Sequence, residues 1–263
     1  MHLLVTGLNA LADPLGRNTR EALCRLGAIG MFFWRVLVCF PHLAVKPGLA
    51  AEQMMRIGIG SMPIVFLMAI VTGFIVTWQF AYLASGVIPL TYLGMVVAKA
   101  SFTEMGPTFT ALILAGRVSA KLASELGTMK VSEQIDAMVC LSLDPFCYLF
   151  SPRVLAGFIM TMVLFVFAAA ITVVSAQLLA TFHFDLPPAV FYNGMRMLFS
   201  MQDIYIMLVK GFVFGGTLSL VGCYYGFITT GGAVGVGQST KNAVVAADVL
   251  VLLFNVIINQ VMM

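Results

Sequence analysis

Charged residues are scarce in this chain of 263 amino acids, since Asp, Glu, Lys and Arg together make up only 10% of it. A soluble domain carries roughly a quarter of such residues, so the composition excludes a soluble globular protein. Histidine is equally rare, and the 3 histidines are scattered, which gives no support for a metal site. The net charge of +3 is too small to suggest a nucleic-acid partner.

Cysteine is also infrequent, and its spacing shows no pairing. Without a paired pattern, the cysteines do not form the framework of a disulfide-stabilised fold. They are expected to serve as small apolar packing residues. The 5 cysteines are Cys24, Cys39, Cys140, Cys147 and Cys223.

Hydrophobic residues, by contrast, make up 61% of the chain and form long runs. A bilayer core about 30 Å thick needs roughly 20 apolar residues for each crossing helix. The runs predict an all-α membrane protein that forms one domain over residues 1–263, with no room for a separate catalytic domain. The five predicted crossings are at about 57–79, 90–115, 154–181, 204–228 and 243–261.

The segment before the first crossing, 17–45, mixes arginines with apolar residues at helical spacing. This pattern predicts an interfacial helix whose arginines face lipid phosphates. A true crossing over 26–45 is the alternative, but Arg35 in its middle would cost roughly 2.5 to 3.5 kcal/mol. The first residues lack the basic start of a secretory signal, so the N-terminus is expected to stay in the cytoplasm.

Basic residues indicate the orientation of the chain. With the N-terminus in the cytoplasm, eleven of them lie on the cytoplasmic side, including four in the polar segment 116–153 and Lys241 in the last loop. Only Arg196 lies outside, and Lys99 and Lys210 fall within spans. By the positive-inside rule, the C-terminus is then outside. Lys210, near the outer end of the fourth span, is expected to snorkel towards the interface.

A short amphipathic helix is predicted within the cytoplasmic segment, at 127–143. Val131, Ile135 and Met138 share one helical face, while charged residues occupy the others. The pattern leaves two interpretations open, namely a surface helix that closes the connection and a docking element for a soluble partner. Nearby, Arg117 and Glu125 lie two turns apart, where a polar network or a solvated face is expected.

A series of motifs resembles the signature of MlaE-type permeases, the membrane subunits of ABC systems that work with MCE-domain proteins in lipid transport. The motifs are Glu104-Met105-Gly106-Pro107, AGRVSA at 115–120, ASELGTM at 123–129, SEQIDAM at 132–138, Asp144-Pro145, Ser151-Pro152-Arg153 and GGAVGVG at 231–237. The resemblance implies a homodimer in the bacterial inner membrane, with an N-terminal interfacial helix, five transmembrane helices and a cytoplasmic coupling helix after the second span.

The resemblance also implies the partners: an ABC ATPase subunit, a periplasmic MCE-domain protein, a second copy of the chain and membrane lipids. ATP and Mg would be bound by the ATPase, because no Gly-Lys-Ser/Thr phosphate cradle occurs here, and no cofactor is expected in this chain. The residues implied to couple to the ATPase are Arg117, Glu125, Met129, Glu133, Gln134, Ile135, Asp136 and Met138.

Lys99, Glu104, Gly106 and Pro107 are the candidate residues of a lipid pathway or gate. A carboxylate within a span is costly unless it faces protein, water or a cation. Pro107 lacks an N–H and clashes with the carbonyl of Thr103, so the Gly-Pro pair predicts a broken helix. Thr103 occupies a position that is often basic in the family, and Lys99, one turn earlier, is a candidate replacement. Glu104 is expected either to stabilise the freed backbone and the dimer or to line the lipid cavity.

The predicted function is a permease that moves phospholipid-like lipids between the inner membrane and an MCE-domain partner, and thereby serves the lipid asymmetry of the outer membrane. An ion-coupled secondary carrier that uses Lys99 and Glu104 is the alternative, although no internal repeat is apparent. An intramembrane enzyme is disfavoured, since the sequence offers neither a nucleophile with a base nor a metal-ligand cluster. Asp248 and Asn255, on one face of the fifth span, are expected to form interhelical hydrogen bonds.

Overall fold

A computed structural model describes residues 27–43, 47–84 and 89–262, which are helical almost throughout and include no strand. A 3₁₀ turn (Leu90–Tyr92) and two π-helical turns (Ala115–Ser119 and Phe146–Phe150) precede α4, α6 and α8 respectively. The α-helices are α1 (Gly27–Val38), α2 (Phe40–Leu43), α3 (Pro47–Ala84), α4 (Leu93–Thr103), α5 (Met105–Leu114), α6 (Ala120–Val131), α7 (Gln134–Cys140), α8 (Ser151–Phe184), α9 (Pro188–Leu198), α10 (Met201–Phe227) and α11 (Gly232–Met262).

Within the described residues, four helical segments are long and apolar enough to cross a bilayer: α3, Phe146–Phe184, α10 and α11. They confirm the all-α membrane class. The described part of α1 is apolar but shorter than a crossing helix, and its interfacial placement stays a prediction. The remainder of the predicted interfacial helix, 17–26 and 44–45, lies outside the described residues.

The predicted second span, 90–115, is not one continuous helix. It is divided into α4 and α5 at Glu104, whose backbone has φ −127° and ψ −69°. After α5 the chain continues through a π-helical turn into α6. The segment 116–153 is mainly helical. Its Ala, Leu, Lys, Glu and Met residues favour this because they have high helix propensity. The number of crossings stays a prediction at this broken helix.

Several helices extend beyond the apolar runs that predicted them. Helix α3 already begins at Pro47, and α11 begins at Gly232 instead of residue 243. Lys241 consequently lies on a helix, so its expected place in a loop is wrong. The difference arises because hydropathy detects the part of a helix that is suited to hydrocarbon and misses the polar turns at its ends.

Helix α10 lies at the centre of the bundle, between α8 and α6. A Cβ atom at Gly215 would lie 2.3 Å from the Gly157 carbonyl oxygen of α8, and one at Gly226 would lie 2.6 Å from the Leu126 Cβ of α6. Small residues allow helices to approach closely, which is a principal means of helix association in lipid. The stripe of small residues on α10 consists of Gly211, Gly215, Ser219, Gly222 and Gly226.

Aromatic rings and a disulfide anchor α1 to the bundle. The Phe32 ring lies 5.2 Å from the Phe150 ring and 5.8 Å from the Phe227 ring, between ring centroids. Just beyond α1, Cys39 is bonded to Cys147 across 108 positions of sequence. Such T-shaped and tilted ring contacts stabilise packing beyond the area they bury.

The expectation that the cysteines serve only as unpaired apolar packing residues is wrong for Cys39 and Cys147, which form this disulfide. Spacing gave no signal because the two partners lie on segments that only the tertiary fold brings together. Cys223 is buried, as an apolar packing residue should be, whereas Cys140 is exposed. Cys24 lies outside the described residues.

Candidate functional site

A polar cluster joins three helices within the apolar bundle. The Lys210 ammonium of α10 donates a hydrogen bond to Glu104 Oε1 at 3.2 Å, and the Asn255 amide of α11 donates to Glu104 Oε2, also at 3.2 Å. The Lys210 side chain is completely buried, whereas 36% of the Glu104 side chain is exposed. These three residues are called the Glu104 cluster below.

The break between α4 and α5 builds this cluster. Because Pro107 has no N–H, the Thr103 carbonyl loses its usual helical donor, and Lys210 Nζ donates to that oxygen instead at 2.6 Å. Gly106 permits the tight backbone, since a Cβ there would lie 2.1 Å from the Ser101 carbonyl oxygen. The predicted helix break is thus confirmed. Lys210 supplies the donor that the Thr103 carbonyl lacks because of Pro107.

Lys210 was not recognised as a site residue from sequence, and its expected snorkelling is wrong. Its ammonium is held between the Thr103 carbonyl and the Glu104 carboxylate, away from solvent. A usable signal was present, because an ionisable residue in a spanning segment normally pairs with another one. The expected interhelical hydrogen bond is confirmed for Asn255, whereas Asp248 Oδ1 has no partner among the described residues.

A second ion pair joins α4 to α10, at residues that precede Glu104 and Lys210 in the sequence. Lys99 Nζ of α4 contacts Asp203 Oδ1 of α10 at 2.5 Å, with the aspartate buried and 43% of the lysine side chain exposed. Asp203 also accepts the backbone N–H of Ser200 in the capping box that begins α10. Lys99 therefore belongs to a different ion pair from Glu104.

The two ion pairs have opposite polarity, which fixes how α4 and α10 align. Along the chain, Lys99 of α4 is followed by Glu104 at the break, while Asp203 of α10 is followed by Lys210. A shift by two turns would bring like charges together, and like charges repel strongly where the dielectric constant is low. The pairs therefore hold the broken helix in one register against the central helix.

An apolar cavity of about 470 Å³ lies between α1, α8, α10 and α11, and its lining includes none of the three residues of the Glu104 cluster. Val213, which lines the cavity, is one turn beyond Lys210, and Phe254 directly precedes Asn255. Its wall is rich in phenylalanine, which suits a hydrocarbon occupant. Other lining residues include Phe33, Phe158, Phe212 and Leu220.

Comparison with known proteins agrees with this architecture, since residues 50–261 match the family model described as Permease MlaE. This chain belongs to the MlaE permease family. A probable ABC transporter permease protein of Rickettsia typhi is 30% identical over 96% of this chain and 97% of its own length. A protein of the same description from Synechocystis is 34% identical over 80% of each chain.

Membership of the MlaE family confirms the predicted family and identifies the chain as an ABC transporter permease. Such a permease is a membrane subunit, not an enzyme itself, and it works with an ATPase partner. The alternative function, an ion-coupled carrier that uses Lys99 and Glu104, is not supported by these relatives, which are described as ABC transporter permeases. The structure also places these two side chains in separate ion pairs.

The predicted coupling segment of this MlaE-family permease forms a sharp corner between α6 and α7. Glu133 adopts a left-handed conformation with φ 60°, and Lys130 forms an ion pair with Asp136 at 2.7 Å across the corner. Glu133, Gln134 and Asp136 are exposed. The corner therefore presents a polar rim that is accessible to a partner.

The apolar residues of this segment divide between the permease core and its surface. Ile135 is only 1% exposed and belongs to the core cluster, and Met129 and Met138 are half-buried. Val139 and Leu141, by contrast, are 58% and 72% exposed. A partner would therefore contact these two residues, while Ile135 holds α7 onto the permease.

The polar residues beside the corner form a network that differs from the expected one. Glu125 lies 3.8 Å from Lys121 Nζ and 3.8 Å from a guanidinium nitrogen of Arg153. Among the described residues, no ion pair joins Glu125 to Arg117. The network connects α6 to the beginning of α8 and leaves Arg117 exposed on the π-helical turn.

Proposed function

We propose that this permease moves a phospholipid-like lipid between a bacterial inner membrane and a periplasmic MCE-domain partner, using ATP hydrolysed by its ATPase subunit. The observation that carries the proposal is the Glu104 cluster, whose Lys210 lies about one helical turn along α10 from the wall of the phenylalanine-lined cavity. A lipid combines a charged headgroup with apolar chains, and this juxtaposition offers a surface for each. Lys210 and Asn255 hold the carboxylate, and the exposed part of Glu104 faces the approaching headgroup.

The working cycle follows from the connections between helices. ATP binding closes the ATPase subunits and displaces α7, and the displacement passes through α6 and the π-helical turn to α5. Because α5 begins directly after Glu104, its movement changes the geometry of the Glu104 cluster. The adjoining cavity then opens or collapses around the lipid. Gly106 and Pro107 provide the point at which this helix bends.

A second copy of the chain is proposed to cover α11. One side of this helix exposes large apolar residues, among them Val249, Leu252, Leu253, Val256 and Ile257. A homodimer would cover this apolar side, since a two-fold interface brings the same surface of both copies together.

The proposed orientation has the N-terminus and the α6–α7 corner in the cytoplasm and the C-terminus in the periplasm. The eleven basic residues on the first side and Arg196 on the other support it. The corner then faces the ATPase. Helix α9, which carries Arg196 on the outer side, faces the MCE-domain partner.

Lipid transfer in proteoliposomes tests the function. Permease, ATPase and MCE partner are reconstituted with fluorescent phospholipid, and ATP-dependent transfer to the MCE protein is measured. Glu104→Gln should lower the rate by about tenfold or more, because it keeps the side chain's shape but removes the charge that opposes Lys210. Gln53→Glu, a change of similar size outside the cluster, is the control. Transfer by Glu104→Gln at the native rate would contradict a role for this charge, and absence of ATP-dependent transfer by the native complex would contradict the lipid function.

Docking of the ATPase is tested at the exposed apolar residues of the coupling segment. The double substitution Val139→Asp and Leu141→Asp should reduce co-purification of the ATPase at least tenfold, because an interface tolerates no unpaired buried charge. The permease itself should remain folded, since both side chains face away from its core. Met197→Asp, at an exposed apolar residue of α9, should leave the complex intact. An equal yield of ATPase with the double variant would place docking elsewhere.

A further inference from the structure

The disulfide between Cys39 and Cys147 lies beside a carboxylate at the surface of the bundle. Cys39 is buried in the turn between α1 and α2, and Cys147 is partly exposed on the π-helical turn before α8. Their Cα atoms are 4.9 Å apart, within the range that a disulfide requires. Asp144 Oδ2 lies 3.5 Å from the Cys147 sulfur and 4.0 Å from the Cys39 sulfur.

Cys39 and Asp144 line an open groove of about 790 Å³ between α1 and α7. Trp34, Arg35 and Val38 line the groove on one side, and Ile135 and Val139 line it on the other. Helix α7 otherwise packs mainly on α6. The disulfide therefore ties α1 to the stretch of chain that follows the coupling helix.

The proposed orientation places both cysteines on the cytoplasmic side. Disulfides are rare in that compartment, and those that occur are usually transient, catalytic or redox-sensing. Cys147 is accessible from solvent, so a small thiol can reach the bond. We propose that Cys39 and Cys147 form a reversible thiol–disulfide switch, with a low-molecular-weight thiol such as glutathione as the exchanging partner.

Each direction of the exchange transfers two electrons. For reduction, a glutathione thiolate attacks the exposed Cys147 sulfur, which forms a mixed disulfide and releases Cys39 as a thiolate that then takes up a proton. A second glutathione thiolate attacks the glutathione sulfur of the mixed disulfide and releases Cys147, giving two protein thiols and one oxidised glutathione. Oxidation is the reverse, in which oxidised glutathione accepts the two electrons and two molecules of reduced glutathione leave.

The consequence for transport rests on the proposed function. With the bond formed, α1 and the chain after α7 move as one body, so the coupling helix cannot shift relative to the interfacial helix. Reduction releases that constraint without removing the packing of Phe32 on Phe150. The oxidised permease is therefore the restrained form, and the reduced permease is the form that couples efficiently to the ATPase.

The redox state is tested on the full-length permease in native membranes. Membranes are equilibrated with glutathione mixtures from fully reduced to fully oxidised, free thiols are tagged with a maleimide of large mass, and the tagged forms are separated on a gel. Two further thiols should become taggable within this range in the native protein and in Cys140→Ser. Cys39→Ser should show no two-thiol transition. A bond that persists in excess reduced glutathione would overturn reversibility.

The carboxylate provides an independent kinetic readout. In the native protein, Asp144 Oδ1 accepts a hydrogen bond from the Phe146 N–H at 2.9 Å. Asp144→Asn keeps an oxygen that can accept this bond but removes the negative charge that repels an approaching thiolate. Its rate of reduction by glutathione should rise about fivefold, from the loss of one like charge near 4 Å in a watery environment. An unchanged rate would overturn the assigned role of Asp144. Stoichiometric Zn²⁺ binding by the reduced protein that prevents reoxidation, measured with zinc alone, would replace the switch with a metal site.

ATP turnover separates this inference from the proposed function. The reduced complex should hydrolyse ATP at least threefold faster than the oxidised complex, and Cys39→Ser should show the reduced rate under both conditions. Equal rates in a complex that retains the ATPase would overturn regulation by the bond. Failure of the permease to bind any ATPase would refute the proposed coupling, while the thiol-tagging result would still decide whether the bond is reversible.

Discussion

Substitution of Lys210 by methionine is expected to lower the free energy of unfolding by about 1–3 kcal/mol, less than the cost for a fully buried pair because 36% of the Glu104 side chain is exposed, and to abolish transport. The change leaves the Glu104 carboxylate without its cation and the Thr103 carbonyl without its donor, both within an apolar bundle. Thermal unfolding in mild detergent measures the stability, and lipid transfer measures the activity. Lys241→Met, at an exposed lysine of α11, should change the free energy of unfolding by less than about 0.5 kcal/mol.

A double variant at the same site separates the effect of charge from the effect of packing on stability. The double variant Glu104→Gln and Lys210→Met carries no buried charge, so it should recover most of the lost stability. It should not recover transport if the charge of Glu104 handles the headgroup. A Lys210→Met variant as stable as the native protein would show that the ion pair contributes nothing to folding.

Substitution of Gly215 by leucine is expected to prevent correct assembly of the bundle. A Cβ at this position would overlap the Gly157 carbonyl oxygen, and backbone atoms of α8 cannot move aside without displacing the whole helix. Overpacking usually costs about 1–3 kcal/mol, and a clash between two backbones should exceed that range. The measurement is the fraction of monodisperse permease after detergent extraction, together with its unfolding temperature.

Gly48→Leu is the matched control, because a Cβ at Gly48 meets nothing within 4 Å. It should give a normal yield and an unfolding temperature within a few degrees of the native protein. If Gly215→Leu behaved in the same way, the close approach of α8 and α10 would not be needed for folding.

The apolar runs and one proline predicted much of this fold. Pro107 indicated both the break in the second span and the freed Thr103 carbonyl, because both follow from the chemistry of a single residue. The Lys210 ammonium, which donates a hydrogen bond to that carbonyl, lies 107 positions away along the chain. Local sequence does not indicate which distant side chain will contact the carbonyl. Lys210 therefore looked like a residue near the end of a span, although the close packing of α10 buries it.

The same limit explains the other differences. Cys39 and Cys147 meet only because α1 folds back onto the start of α8, and no spacing rule links positions 108 apart. The family resemblance implied that Ile135 couples to the ATPase, whereas its side chain is buried in the permease core. Periodicity identifies which face of a helix is apolar, but it does not say whether that face covers the chain's own core or a partner.

The helical path from α4 through α6 has a mechanical consequence. From Leu93 to Val131 it spans roughly 55–60 Å at 1.5 Å per residue, with the Glu104 cluster near one end and the α6–α7 corner at the other. Under the proposed coupling, this path acts as a lever whose helical stretches are stiff and which bends at Glu104 and at the π-helical turn. A small tilt at the corner, roughly 40 Å from Glu104 along the path, is then enough to separate the Lys210 ammonium from the Glu104 carboxylate, with no need for any helix to slide through the membrane.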